Sequence, residues 1–255
     1  MRTLVSNVVI ALAFFAALAP AAGAQDAQLE GMRAALAAPG RSAANKARDA
    51  DRKPLESIQF FGIRSGDTVV DMIAAGGWFT EVLSAAVGPR GHVYMQNPPF
   101  FPQTDASKAF VARLGNAEEL RVPLASAGIT GKVDGVVTAL NLHDIYNGFG
   151  GQPAGEPAAV EFLKSIHDVL KPGGVLGVID HVGIAGEDNA KLHRMQPQQA
   201  RDALTKAGFV IEAESKLLSN SGDDHKKGVM DPDLRGHTDQ FMIRARKPRQ
   251  YASRP

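Results

Sequence analysis

The sequence contains no cysteine, and it has only one tryptophan among 255 residues. The absence of cysteine excludes a disulfide framework, a thiolate nucleophile and a lipoprotein attachment site. With so few tryptophan and tyrosine residues, no aromatic cage selects a particular class of ligand. The side chains left for polar chemistry are mainly carboxylates, amides and the 7 histidines.

The sequence also lacks an apolar run long enough to cross a bilayer, which takes about 20 residues. Its most apolar run, residues 8–19, follows Arg2 and precedes a small-residue site at 22–24. This pattern is typical of a secretory signal peptide, here residues 1–24 with cleavage after Ala24. We therefore expect a periplasmic or secreted protein with no stable membrane insertion after cleavage. The alternative is an uncleaved membrane anchor.

Neither sign of charge is in excess. The chain has 28 Lys and Arg against 27 Asp and Glu, and the loss of Arg2 with the leader makes the two numbers equal. A net charge near zero argues against nucleic acid as a partner. A small-molecule substrate is the expected partner, and the oligomeric state stays open.

Helical and strand-like patterns alternate from Leu55 to Gly208, and the last two strand-like runs have no helix between them. This order predicts an α/β fold with a doubly wound, mostly parallel Rossmann-like sheet that is closed by an antiparallel hairpin. We expect a helical arm at 25–52, one domain at 53–248 and a tail at 249–255. Strands are expected near 69–71, 92–95, 120–122, 133–140, 175–179, 209–217 and 238–246, with a break at 170–174 and candidate lids or surface loops at 148–157 and 219–236.

The stretch VVDMIAAGGWFTEVL, residues 69–83, predicts a strand, a tight turn and the start of a helix. Its small residues let a ligand approach the backbone closely, and a helix that begins there offers unpaired amide donors. Asp71 ends the strand and would face the same crevice. The alternative is that the glycines serve only the steric needs of the turn. If the charged segment before Pro54 folds over this turn, Arg52 is a candidate contact for an anionic group.

Polar side chains also concentrate after two later strands. Asn141, His143 and Asp144 follow the strand at 133–140, and Asp180 and His181 follow the strand at 175–179. A crevice at the carboxyl ends of strands needs polar groups at these places.

Four stretches together resemble the class I S-adenosylmethionine-dependent methyltransferases, and more narrowly the exported predicted methyltransferases of bacterial envelopes. They are VVDMIAAGGWFTEVL, DGVVTALNLHD, LKPGGVLGVIDH, and AGF before a strand that is followed by a strand ending in KP. The resemblance covers about Arg48 to Pro248. It implies a methyltransferase sheet and S-adenosylmethionine as the cofactor.

Carried over residue by residue, the resemblance implies that Asp71, Ala75, Gly76 and Gly77 surround the methionine part of the cofactor. It places Asn97 where the family usually has an acidic residue that holds the ribose hydroxyls, and it assigns Asn141 to the cofactor side. Ile73 and Ala75 stand where the family prefers glycine. The amide of Asn97 still hydrogen-bonds a hydroxyl, without the charge-assisted strength of a carboxylate.

Methyl transfer is an in-line displacement that needs alignment and, for an alcohol or amine acceptor, removal of a proton. We expect His143 to be the base, oriented by Asp144 or Asp180, with His181 beside it. One alternative is a divalent metal ion held by Asp144, Asp180 and His181, and another is that these groups only cap strand ends. A different class of function also stays open, namely a non-catalytic metabolite-binding protein of the bacterial envelope.

Overall fold

The computed structural model describes residues 22–148 and 154–249. The expected leader lies outside these ranges except for residues 22–24, and so do residues 149–153 of the expected loop at 148–157 and most of the expected tail. Within the described ranges, no helix is long and apolar enough to cross a membrane.

A seven-stranded sheet forms the centre of the fold, with strand order β3-β2-β1-β4-β5-β7-β6. The first five strands are parallel, and β7 is antiparallel to both β5 and β6. The sheet therefore confirms the predicted fold class, including the closing hairpin. The strands are β1 (Thr68–Met72), β2 (His92–Gln96), β3 (Ala117–Leu120), β4 (Val133–Ala139), β5 (Leu170–His181), β6 (Val210–Ser215) and β7 (Gln240–Arg246).

Helices cover both faces of the sheet, and successive strand residues alternate between the two cores as the two-residue period of a strand requires. Val70 and Val136 belong to the core under α8 and α10, whereas Val69 and Val137 belong to the core under α1, α4 and α5. The helices are α1 (Ala22–Ala37), α2 (Ala43–Ala47), α3 (Asp49–Arg52), α4 (Pro54–Phe61), α5 (Trp78–Val87), α6 (Asp105–Leu114), α7 (Leu142–Asn147), α8 (Glu156–Val169), α9 (Asn189–Leu192) and α10 (Pro197–Lys206), with a 3-10 turn at Leu124–Ser126.

The expected arm at 25–52 packs against the domain. Met32 of α1 is fully buried, and the Gln28 side chain donates to the carbonyls of Ile63 and Ala86 at 3.0 and 2.9 Å. The buried Arg41 guanidinium donates to Glu81 at 2.6 Å and pairs with Asp49. These contacts hold the arm across the face that carries α5, and α3 thereby lies close to the turn after β1.

Two expected strand boundaries are wrong. Strand β3 runs from 117 to 120 rather than 120 to 122. Strand β5 begins at Leu170, so LKPGG is a bulge inside the strand rather than a break before it. Leu170 pairs with Val133 and Val175 pairs with Gly135, and the four intervening residues bulge out. Gly174 suits this bulge because a Cβ atom there would lie 2.9 Å from the carbonyl oxygen of Lys171.

Candidate active site

The turn at 73–77 connects β1 to α5 at the carboxyl edge of the sheet. Ile73 and Ala75 have φ angles of 53° and 49°, in the left-handed region that side chains with a Cβ rarely adopt. Gly77 has a φ of 77°, and a Cβ there would lie 2.7 Å from the Phe110 ring. The steric interpretation thus accounts for Gly77. Gly76 differs, because it is exposed and a Cβ there would meet open space.

Side-chain amides hold this strained turn in place. The Asn97 Oδ1 atom accepts from the backbone of Ala75 at 2.8 Å, and Gln96 Oε1 accepts from the backbone of Ile73 at 3.2 Å. Asn141 Nδ2 donates to the carbonyl of Met72 at 3.1 Å. Asn97 and Asn141 therefore lie at the edge where the sequence predicts cofactor contacts, and here both bind the backbone at the end of β1 or in the turn.

Asp71 lies beneath the turn and is 2% exposed. Its Oδ2 atom accepts from the Thr80 hydroxyl at 2.6 Å. Burial raises the pKa of Asp71 to about 7, although the hydrogen bonds from Thr80 and the charge of Arg52 act in the opposite direction. Because this pKa lies near neutral pH, the approach of a cation would favour the charged form of the carboxyl.

Arg52, the last residue of α3, does fold over the turn. Its guanidinium carbon lies 4.9 Å from the centre of the Trp78 ring, and burial together with the nearby Arg48 lowers its pKa to about 10 while Asp71 raises it. Among the described residues, the Arg52 guanidinium has no hydrogen-bond or salt-bridge partner. A cation of this kind is a candidate site for an anionic group.

A small space lies between Arg52 and the ends of the strands. Its volume is about 10 Å³, which is room for a single water molecule. The side chain of Lys53 donates to the carbonyl of Leu217 at 2.7 Å, and Asp51 lies 3.4 Å from His237. These exposed contacts join the arm to the segment after β6, which contributes Leu218 to the lining of the space. The lining residues are Arg52, Phe79, Ala139, Leu140, Ile179, Leu218 and Gln240.

Asp180, at the end of β5, is the buried centre of a second group of polar side chains. Its Oδ2 atom accepts from the backbone of His143 at 2.8 Å, and its Oδ1 atom accepts from the backbone of His181 at 2.7 Å. Oδ1 also lies 2.6 Å from Nδ1 of His143. Because β4 and β5 are adjacent parallel strands, the residues that follow them meet here.

His143 lies between two carboxylates. Its Nε2 atom is 3.2 Å from Oδ1 of Asp144, and the same oxygen is 2.8 Å from Nδ1 of His193. Burial of His143 opposes its charge, yet Asp180 and Asp144 outweigh burial and raise its pKa to about 10. For Asp144, burial is likewise outweighed by hydrogen bonds from His143 and His193, and its pKa is lowered. His143 is therefore an imidazolium at neutral pH.

His181 has the opposite protonation. Its Nδ1 atom lies 2.7 Å from the Thr238 hydroxyl, and its ring centre is 5.5 Å from that of His143. Burial lowers the pKa of His181 to about 4, and the charges of His143, Arg194 and Arg52 lower it further, while Asp180 opposes them. His181 is therefore neutral at pH 7.

The structure brings together all four predicted catalytic residues and adds His193, which the sequence analysis did not select. The alternative metal group of Asp144, Asp180 and His181 is not the group that the structure brings together as possible ligands. Both carboxylate oxygens of Asp180 already accept hydrogen bonds, from His143 and from backbone amides. The Nδ1 atom of His181 is in contact with the Thr238 hydroxyl. Within the described ranges, the one group of ligand atoms that lie within 4.8 Å of one another is that of His143, Asp144 and His193.

No sequence signal links His193 to His143, because the two lie 50 positions apart and neither belongs to a regular spacing. The link is made by the path of the chain after β5. The Met195 amide donates to the carbonyl of His181 at 3.1 Å, and the Gly183 amide donates to the carbonyl of Met195 at 2.7 Å. This short bridge returns the chain to the edge of the sheet and delivers His193 beside Asp144.

Comparison with known proteins supports this fold. No family model and no curated protein sequence matches the chain. Among solved structures it is similar to a methyltransferase dependent on S-adenosylmethionine from Aquifex aeolicus, with 19% identity, a TM-score of 0.54, and coverage of 78% of this chain and 98% of that one. It is also similar to the [4+2]-cyclase SpnF, with 18% identity, a TM-score of 0.58, and coverage of 89% and 95%.

A third similar structure is the 1,6-didemethyltoxoflavin-N1-methyltransferase of Burkholderia thailandensis, which was solved with 1,6-didemethyltoxoflavin and S-adenosylhomocysteine bound. It is 18% identical, with a TM-score of 0.52 and coverage of 94% of this chain and 93% of that one. Identities this low establish the fold alone. The chain therefore has the fold of the S-adenosylmethionine-dependent methyltransferases.

Proposed function

We propose that the chain is an S-adenosylmethionine-dependent methyltransferase that acts on a small molecule. The observation that carries the proposal is the position of Arg52. On a sheet of the methyltransferase fold, this cation, which has no hydrogen-bond or salt-bridge partner among the described residues, lies near Asp71 and against the ring of Trp78, which begins the helix after the turn. An anionic and a cationic side chain thus lie together where an amino-acid moiety, with its carboxylate and ammonium groups, would need them.

The residues of the turn fit the cofactor in chemistry. Arg52 would bind the carboxylate, the charge of the buried Asp71 beneath the turn would favour the ammonium group without touching it, and the exposed Ala75 and Gly76 would let the ligand lie against the backbone. When bound, S-adenosylmethionine supplies an electrophilic methyl group. Because the space beside Arg52 has room for about one water molecule, a ligand group larger than water that entered this space would have to separate α3 from the segment after β6. The Lys53 bond to Leu217 is an exposed contact that such an opening would break.

The other end of the site has to handle the proton of the acceptor. The expectation that His143 is the base requires its neutral form, and its position between Asp144 and Asp180 favours the charged form. We therefore revise the assignment: of the two histidines, His181 is the one that burial keeps neutral at pH 7, so it has a lone pair to accept the proton, and its lowered pKa makes it a weak base. A base must hold an unoccupied lone pair at the working pH.

Export is part of the proposal and rests on the pattern of residues 1–24. Cleavage after Ala24 would remove only the first three residues of α1. The contacts that hold α1, those of Gln28 and Met32, lie beyond the cleavage site and would remain. N-terminal sequencing of protein from periplasmic and cytoplasmic fractions tests this part. Periplasmic protein that begins at Gln25 is the expected result, and an intact leader in every fraction would contradict it.

The catalytic proposal is tested by incubating the purified protein with S-adenosylmethionine labelled in its methyl group and with small-molecule extracts. We expect labelled product at pH 7.5 from the wild type. The His181→Gln variant should lose at least about 100-fold in rate, the usual contribution of a general base. The His143→Gln variant tests the earlier assignment, because a rate that falls only in that variant would return the base to His143.

A non-catalytic role in binding a metabolite is the second candidate. It is favoured by the left-handed conformation of Ile73 and Ala75, by the hydrogen bond that commits Asn97 to the turn, and by the small volume of the space beside Arg52. A further argument for this candidate is that one of the similar solved structures is named a [4+2]-cyclase rather than a methyltransferase. Binding of S-adenosylmethionine without label transfer to any extract would favour this candidate.

A further inference from the structure

We propose that His143, Asp144 and His193 bind a divalent transition-metal ion. The Nε2 atom of His143 is 3.2 Å from Oδ1 of Asp144, and Nδ1 of His193 is 2.8 Å from the same oxygen. All three candidate ligand atoms lie within 4.8 Å of one another. Ligand atoms about 2.1 Å from one ion are roughly 3 Å apart. To share an ion, these side chains therefore need only small rotations, together with the release to solvent of the proton on Nε2 of His143.

Asp180 prepares His143 for this role. One oxygen of Asp180 already accepts from the backbone of His143 and the other accepts from the backbone of His181. The Nδ1 atom of His143, at 2.6 Å from Oδ1, therefore donates to Asp180. This contact turns Nε2 toward Asp144. A histidine whose far nitrogen is fixed by a buried carboxylate is the usual arrangement behind a metal ligand.

The proposed site is open on one side. The His143 side chain is 4% exposed, whereas those of Asp144 and His193 are 32% and 39% exposed. An ion can thus enter from solvent, and three protein ligands leave coordination positions for water or for an oxygen of a substrate. Two imidazole nitrogens and one carboxylate favour the series from Mn²⁺ to Zn²⁺ over Mg²⁺ or Ca²⁺, which prefer oxygen ligands.

His225 provides a matched control elsewhere in the chain. It resembles His193 in conformation, with a φ of 63° against 54°, and its Nε2 atom lies 2.9 Å from Asp239. Within the described residues it belongs to no group of three metal-ligating side chains. Asparagine tolerates the left-handed conformation at both positions. The variants His193→Asn and His225→Asn therefore each remove one histidine–aspartate contact, and only the first of the two sites is proposed to bind metal.

The experiment is a titration of the chelator-treated full chain with Co²⁺, followed by visible absorption and by calorimetry, with no S-adenosylmethionine present. We expect one ion per chain. The His193→Asn variant should bind at least about 10-fold more weakly, while His225→Asn should stay within about 2-fold of the wild type. Asp180→Asn, as a positioning variant, should weaken binding by about 10-fold to 100-fold and shift the absorption bands.

Two results would overturn the proposal. One is the absence of saturable binding of both Co²⁺ and Zn²⁺ by the wild type up to about 1 mM, an affinity too weak for a built site. The other is equal binding by the His193→Asn and His225→Asn variants. Neither result depends on the proposed function, because metal binding is measured without the cofactor. Conversely, metal binding without any binding of S-adenosylmethionine would keep this site and reject the methyltransferase.

Discussion

Two groups of buried charges lie side by side after β5, and they are built in opposite ways. Arg194 and Asp223 form a fully buried pair with two bonds, at 2.9 and 3.0 Å. The remaining Arg194 donors bind the carbonyls of Val182 and Lys227. The group around His143 contains two aspartates and two further histidines, and its outer members, Asp144 and His193, reach solvent.

The difference indicates that the Arg194 pair stabilises the fold, whereas the His143 group is suited to binding or catalysis. The Arg194 pair balances one charge of each sign and satisfies its hydrogen bonds within the protein, so nothing in it calls for a ligand. It fixes the segment 219–236, which is expected from sequence as a lid or a surface loop, onto the domain. The His143 group places one imidazole between two carboxylates and keeps an open side. Such an arrangement binds a proton tightly, and it suits a metal ion or a reacting group.

The largest expected effect is on stability, and it comes from breaking the balanced pair. The Asp223→Ala change would leave the Arg194 charge buried without its partner and should reduce the free energy of unfolding by about 3–5 kcal/mol. Urea denaturation followed by circular dichroism measures it. The exposed pair of Arg201 and Glu214, at 2.8 Å, is the control. Its Arg201→Ala change should cost less than about 1 kcal/mol, and equal losses in the two variants would contradict the comparison.

The next effect depends on pH. Because the folded state raises the pKa of His143 from 6.5 to about 10, the stabilisation from its charged form is complete below pH 6.5 and is lost as pH rises through 10. With a chelator present, the wild type should lose on the order of 3 kcal/mol more than His143→Gln between pH 6.5 and pH 10. Urea titrations at several pH values measure this difference. Parallel pH curves for the two proteins would show that His143 is not held as an imidazolium.

The sequence predicts the local elements that form the site, but it does not predict which distant residues meet there. The alternation of helices and strands, the small-residue turn and the polar residues after β4 and β5 all follow from local patterns, because each depends on neighbouring residues. The partners of His143 depend on how distant segments meet. His193 and Asp223 reach the site through loops without a periodic pattern, and the protonation of His143 depends on burial and on two carboxylates that only folding brings together.

The same limit applies to the N-terminal arm. The apolar spacing of residues 25–52 predicts that the arm is helical. The sequence does not predict whether Arg52 forms a salt bridge, because the charged segment before Pro54 contains acidic residues that could have paired with it. In the fold, Asp49 pairs with Arg41 instead, and Asp51 lies beside His237. In the part of the chain that the structure describes, Arg52 therefore lies over the turn without a salt-bridge partner, and the cofactor proposal rests on this outcome.

The most direct test of that proposal is a calorimetric titration with S-adenosylmethionine and its demethylated product. Arg48, which is also partly buried and has a lowered pKa, supplies the control variant. We expect the wild type and Arg48→Ala to bind both molecules with micromolar affinity. We expect Arg52→Ala to bind at least about 10-fold more weakly, since a hydrogen bond to a charged group contributes about 1.5–3 kcal/mol. An absence of binding by the wild type, or an unchanged affinity in Arg52→Ala, would contradict the account.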